Sequence, residues 1–330
     1  MPDKLIFDEN FVYKPHFEKI SGYVTLFNAV KMGYPFIGSI KSFLNACDEV
    51  VVLDGYSTDG TYEILGDLAS SDSRIKLYQN EFDMAEPGID GMQKAFARAL
   101  CEYSFCLKFD ADEAISEDDA LKLKAITKRF PRDVDVIHLP VIELWGNENH
   151  VTGRRHAWKW RLSKNKPEIT HGICSFARLI DEETGKTYAK ENMCDGCCYI
   201  NILTNNPLPH KGFWTSEMEQ IRIQDPKQYA ILMNQVFSQI PSIFHFSWFS
   251  LRNKVNQFGE NWNNLWNGLY KTKNKVRFAE KTEDEILSLV KRLYDNGGED
   301  GDQIKYKFKI NKNIPKELEY WVDKNRGKYE

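Results

Sequence analysis

Val50, Val51, Val52 and Leu53 form an unbroken apolar run that stops at Asp54-Gly55, and Phe105, Leu107 and Phe109 recur at every second position up to Asp110. A continuous run suits a parallel strand covered on both faces, and the alternating set suits a second strand. Around them apolar residues take helical spacing. Phe36, Ile40, Phe43, Leu44 and Cys47 precede the first run, Tyr62, Leu65, Leu68 and Ala69 follow it, and Met92, Ala95, Phe96, Ala99, Leu100 and Tyr103 lead into the second. With further strands at Ile20 to Asn28 and Ile75 to Gln79, the alternation predicts an α/β fold around a Rossmann-like, mostly parallel sheet flanked by helices.

The pattern continues with a charged helix over Ser116 to Phe130 and a long strand from Val134 to Trp145. Trp158, Trp160 and Leu162 then alternate with Lys159 and Arg161 in a β-like way. Two prolines and a glycine punctuate Asn205 to Phe213, and beyond them the spacing turns helical. Trp248, Leu251, Val255, Phe258, Trp262, Trp266 and Leu269 predict one helix with an aromatic stripe, better suited to a core than to a binding surface. Thr282-x-x-Glu285 is a capping box before Ile286, Val290 and Leu293, and Gly297 is a stop signal. A short basic strand-like piece and a final helix close the chain.

Two strand ends carry the candidate chemistry. Ligands of open α/β sheets bind at the carboxyl ends of the strands, which places Asp54 where a base or ribose would be read. Asp110-Ala111-Asp112 puts two carboxylates two residues apart, an oxygen-rich arrangement suited to Mg²⁺ or Mn²⁺ against a diphosphate.

LDGYSTDGT followed by FDADE, each at a strand end and in this order, resembles the glycosyltransferase family 2 members of the GT-A fold, in particular the lipopolysaccharide and polysaccharide type with an Asp-Ala-Asp-Glu strand end. The likeness covers roughly the first two thirds of the chain, on the scale of one domain. It implies a nucleotide-sugar-binding catalytic domain over residues 1–212, with 213–330 as a mainly helical region completing the acceptor side. It also implies a metal-dependent inverting glycosyltransferase using a nucleotide-sugar donor, in most members a UDP-sugar, and a hydroxyl of a glycan or glycolipid acceptor.

By the same resemblance Asp54 and main chain near Thr25 and Phe27 read the base, Lys94 sits where a polar or basic group faces the nucleotide, and Asp110 and Ala111 lie against the ribose and diphosphate. Asp110, Asp112 and His245, the last in SIFHFSWFSL, form the implied metal set. An alcohol is a poor nucleophile until its proton is taken, so a base is also required. Glu217 and His171 are the leading candidates, with Glu219 and Asp195 behind them. Arg154, Arg155 and Arg161 either form a solvated strand face or neutralise a leaving diphosphate. Two departures stand out: Asn28 is followed by Ala29 and His171 by Gly172, where the family usually has Glu.

With 42% apolar residues in 330, the chain can bury a sizeable core, and a net charge of −4 argues against a general nucleic-acid binder. The aromatic content of 13%, including eight Trp, suits stacking on sugar rings. No stretch of about twenty apolar residues occurs and MPDKLIFDENF lacks a signal-peptide core, so a soluble cytoplasmic enzyme is expected, with peripheral membrane association only through its acceptor. The seven cysteines show no disulfide framework. Cys194-x-x-Cys197-Cys198 could clip Zn²⁺ with Cys174 or His210, but the second pair that makes such a motif strong is missing. Two other classes remain: a non-catalytic carbohydrate-binding protein, against which Asp54, Asp110 and Asp112 count, and a sugar-phosphate nucleotidylyltransferase, whose Gly-rich, Arg-containing phosphate loop is absent.

Overall fold

The computed structural model describes residues 19–82, 89–152, 158–171, 199–204, 208–211, 215–257, 282–295 and 307–326. Its first half is a regular alternation: β1 (Ile20–Leu26), α1 (Ala29–Met32), α2 (Phe36–Phe43), β2 (Glu49–Asp54), α3 (Thr61–Ser71), β3 (Ile75–Gln79), α4 (Ile89–Ala99) and β4 (Phe105–Lys108). β1 pairs in parallel with both β2 and β4, and β2 with β3. The carboxyl ends of β2 and β4 therefore share one sheet edge, on either side of β1.

Helices cover both faces, which is why the apolar run of β2 is continuous. Val50 and Val52 pack with Phe36, Ile40 and Phe43 of α2 and Leu65 and Leu68 of α3. Val51 and Leu53 face the other way, against Ala97 of α4. All four β2 side chains are at most 1% exposed, and each contributes about 1.5–3 kcal/mol by leaving water.

The chain continues through β5 (Glu113–Ile115), α5 (Glu117–Thr127), β6 (Val136–Trp145), β7 (His150–Val151), β8 (Trp158–Lys164), β9 (Ile169–His171), β10 (Tyr199–Asn201) and β11 (His210–Lys211), of which β9 and β10 pair with each other in a separate two-stranded sheet. β8 inserts antiparallel between β4 and the first half of β6. Then come α6 (Ser216–Gln224), α7 (Pro226–Gln239), β12 (Ile243–Trp248), α8 (Leu251–Gln257), α9 (Glu283–Asp295), β13 (Phe308–Lys309), a 3-10 turn at Lys316–Leu318 and α10 (Glu319–Asn325). β12 wedges into the sheet, antiparallel to β5 and parallel to the second half of β6. The described chain after residue 213 thus supplies two strands, β12 and β13, to the sheet as well as helices.

Side-chain caps set several helix starts. Ser116 Oγ accepts from Asp119 N, Thr215 Oγ1 accepts from Met218 N, and Thr282 and Glu285 exchange both hydrogen bonds of their box. The aromatic helix departs from its predicted form. Trp248 ends a strand, its ring 5.0 Å from that of Trp145 in the neighbouring strand, and α8 begins only at Leu251. Phe258 to Leu269 lie outside the described residues. Among the described residues no helix is long and apolar enough to cross a membrane.

Candidate active site

Asp54 closes β2 fully buried. Its Oδ2 accepts from Ser57 N at 3.0 Å and from Gln79 Nε2 at 3.1 Å, whereas its Oδ1 is buried without a partner among the described residues. A buried acceptor left unpaired costs about 1–3 kcal/mol, which a ligand N–H or O–H can restore. Gly55 follows because a Cβ there would stand 2.7 Å from Cβ of Phe82 and 3.0 Å from the Phe27 ring. Those two rings lie nearly parallel, 5.7 Å apart between centroids, beside the carboxyl end of β2. Thr25, half-buried, pairs in register with Leu53 one residue before Asp54.

The loop after Asp54 is laced to the start of α1. Asn28 N donates to Ser57 Oγ at 2.8 Å, Thr58 N to Asn28 Oδ1 at 2.9 Å, and Lys31 N to Asp59 Oδ2 at 2.7 Å. Asn28 and Tyr56 both adopt left-handed backbone, with φ of 48° and 59°. Such conformations cost roughly 1–2 kcal/mol outside glycine, so these hydrogen bonds hold the loop in a shape it would not take alone.

The second centre is the turn from β4 to β5, closed by Glu113 N donating to Asp110 O at 3.0 Å. Asp110 is clasped by Lys108 Nζ on Oδ1 at 2.6 Å and by Arg161 Nη2 on Oδ2 at 3.0 Å. Arg161 also binds Glu113 Oε1, which Lys159 Nζ reaches at 3.0 Å, and Glu113 Oε2 accepts from Asp110 N at 3.0 Å. Burial opposes ionisation of both carboxyls, but the surrounding cations win. Lys108 and Arg161 hold Asp110 well below the usual carboxylate range, and Arg161 and Lys159 lower Glu113 to about 2.

Asp112 points to β12 instead. Its Oδ2 lies 3.4 Å from His245 Nε2, while His245 Nδ1 is 2.7 Å from Glu143 Oε2. Register explains the meeting: His245 sits opposite Glu113 on one neighbouring strand and Glu143 on the other. Burial alone would lower the imidazole pKa, but Glu143 and Asp112 outweigh it and raise it to about 9. Tyr34 is close enough for Asp112 and Asp110 to add to the burial that pushes its phenol up.

Lys94, buried on α4, bonds Asp90, and its charge also favours ionised Asp110. His171 is 1% exposed at the end of β9, with Nε2 2.6 Å from the Tyr23 hydroxyl, which in turn contacts the Tyr199 hydroxyl at 2.8 Å. Glu217 stands exposed in the first turn of α6, beside a Glu219–Arg222 ion pair at 2.9 Å. Arg161 is fully buried and engaged by Asp110 and Glu113. Arg154, Arg155, Cys174, Cys194, Asp195, Cys197 and Cys198 lie outside the described residues, and the rings of His210 and His138 stack at 5.0 Å. Among the described residues no three His, Cys, Asp or Glu side chains converge as a ready metal cage.

The structure therefore gathers Thr25, Phe27 and Asp54 at one strand end, and Asp110, Ala111, Asp112 and His245 at another. Sequence reasoning did not single out Gln79, Lys108, Glu113, Glu143 or Lys159. Lys108, alone between Leu107 and Phe109, and Glu143, alone in the apolar run of β6, carried a signal: a lone charge in a buried strand needs a partner.

A family model described as glycosyl transferase family 2 matches residues 24–184. None of the curated proteins matches the sequence significantly. Among solved structures, a mannosyltransferase from Pyrobaculum calidifontis in complex with GDP-Man and Mn²⁺ is similar at 17% identity over 41% of this chain and 39% of that one, with a TM-score of 0.31. S. aureus TarS 1-349 is similar at 15% identity over 87% of this chain and 89% of that one, with a TM-score of 0.34. Its complex with UDP-GlcNAc gives 16% identity over 84% and 80%, again with a TM-score of 0.34. These likenesses are too loose for positions to be carried from one chain to another. The family match spans just under half of the chain and falls on the α/β sheet, and it supports a glycosyltransferase.

Proposed function

We propose that the chain is a metal-dependent, inverting transferase that moves a sugar from a nucleotide-sugar, a UDP-sugar by preference, to a hydroxyl of a glycan or glycolipid. The observation that carries this reading is the pairing of two groups on one sheet edge: the unpartnered buried oxygen of Asp54, and the Asp112–His245 pair. Their strands flank β1, so at the usual spacing the two ends stand about 10 Å apart, a span that suits a nucleoside between base and diphosphate.

Asp112 Oδ2 and His245 Nε2 face each other and are chemically suited to share a Mn²⁺ or Mg²⁺ ion, with Glu143 fixing the far side of the ring. Held by Asp112 and His245, a divalent ion would supply positive charge to a departing diphosphate without moving a proton. Asp110 is positioned by Lys108 and Arg161 and so shapes the turn that aims Asp112. Asp54 takes the base through Oδ1, with Thr25 and Phe27 lining the same strand end. Ala111 leaves the turn without bulk beside the diphosphate, and Lys94 adds positive charge nearby. Proton removal from the acceptor falls to Glu217, exposed at a helix start, with His171 as the alternative.

The test is a nucleotide-sugar panel by thermal shift and slow hydrolysis, with and without Mn²⁺. A ligand that binds only the folded state raises the melting temperature by mass action, and a metal-dependent shift with one nucleotide class is expected. Sugar binding indifferent to metal and nucleotide would overturn the reading.

A further inference from the structure

We infer that Gln79 is a specificity-determining residue that selects uracil over guanine in the donor. The inference rests on the reading of Asp54 as the group that takes the base. A carboxylate oxygen has two acceptor sites. On Asp54 Oδ2 both are taken, one by Ser57 N at 3.0 Å and one by Gln79 Nε2 at 3.1 Å, while Oδ1, buried and unpartnered among the described residues, is the acceptor left for a ligand.

The bases differ in what they offer one oxygen. Uracil carries a single N–H, between two carbonyls, and one acceptor satisfies it. Guanine carries N1–H and the N2 amino group side by side, a fork that a carboxylate meets best with both oxygens. With Oδ2 filled, guanine forfeits half of that fork and leaves a desolvated amino group behind, whereas uracil loses nothing.

Gln79 is well placed to impose this choice. It pairs in register with Asp54 across β2 and β3, so its side chain reaches the carboxylate from a neighbouring rigid strand. Ser57 N belongs to the backbone, and a side-chain change other than to proline leaves it in place. Gln79 is therefore the donor whose loss reopens one site on Oδ2.

The test is calorimetric titration of UDP and GDP, each with Mn²⁺, into the full chain and its Gln79→Leu and Asp54→Ala variants. Wild type is expected to bind UDP more tightly than GDP, and Gln79→Leu to shrink that preference by about tenfold, the worth of one charge-assisted hydrogen bond. A merely structural role for Gln79 would weaken both nucleotides together and leave their ratio unchanged within twofold, which overturns the inference. Equal binding of UDP and GDP by wild type overturns it too. If Asp54→Ala leaves UDP affinity untouched, the reading of Asp54 itself falls. If Asp54→Ala weakens UDP while the ratio survives Gln79→Leu, only the role of Gln79 is lost. Should Gln79→Leu not fold, Gln79→Asn, whose amide is one methylene too short, carries the same expectation.

Discussion

Replacing Arg161 by Met should destabilise the protein by about 3–5 kcal/mol, the usual cost of stripping one partner from a buried ion pair. Arg161 and Glu113 are both 0% exposed, and the guanidinium binds Glu113 and Asp110 together. Methionine fills most of the vacated volume, so the loss is mainly electrostatic. Glu113 keeps Lys159, which is 25% exposed, and Asp110 keeps Lys108, so the lower end of the range applies. Against a typical total of about 5–15 kcal/mol that is a large fraction. Urea unfolding followed by tryptophan fluorescence measures it. Adding Glu113→Gln to the Arg161→Met variant removes the carboxylate stranded by the first change, so the double variant should be more stable than simple addition predicts. A single-variant cost below about 1 kcal/mol, or strict additivity in the double, would refute the reasoning that this cluster is a mutually compensated buried network.

Three further outcomes follow from the geometry. His245→Ala should weaken Mn²⁺ binding, and excess metal should partly restore turnover because water can replace the lost nitrogen; activity unresponsive to metal would remove His245 from that role. Glu217→Gln should lower kcat by about 10²–10⁴ with little change in donor affinity and no rescue by metal; if it keeps full activity while His171→Ala does not, His171 is the base. Burial, with His210 beside it, holds the His138 imidazole pKa at about 4, so the unfolded chain takes up the proton first. Stability should be full above about pH 6.5 and fall by about 1–2 kcal/mol towards pH 4, after discounting for the partly exposed ring, and His138→Phe should flatten that part of the stability profile.

The strand ends at Asp54 and Asp110 were legible in the sequence because an apolar run buried on both faces must stop where the chain reaches the sheet edge. The helices before and after β2 were legible for the same reason: their apolar stripes had a sheet to cover. What surrounds Asp112 was legible only in part: the resemblance set His245 beside it, but not Glu143 behind the ring. His245, Glu113 and Glu143 meet through the register of β12 with β5 and β6, strands separated by long stretches of chain, and no local spacing encodes a register. Trp248 shows the limit from another side. Its spacing to Leu251 and Val255 fits a helical stripe, but its backbone is spent on pairing with Trp145 in β6, and tertiary contact overrides local periodicity. The insertion of β8 between β4 and β6 was equally hidden, although it is what brings Lys159 and Arg161 under the Asp110 turn.

Titration of UDP into wild type and Asp112→Asn, each with Mn²⁺ and with chelator, bears most directly on metal-assisted nucleotide binding at the paired strand ends. Asp112→Asn keeps the side chain's shape and removes one of the two carboxylates beside His245, so an intact fold with a modestly lowered melt should accompany it. Wild type is expected to bind UDP at least about tenfold more tightly with Mn²⁺ than with chelator, a difference of about 1.4 kcal/mol, and Asp112→Asn to lose both this difference and transfer activity. UDP affinity indifferent to metal in wild type, or near-normal turnover in Asp112→Asn, would contradict the account.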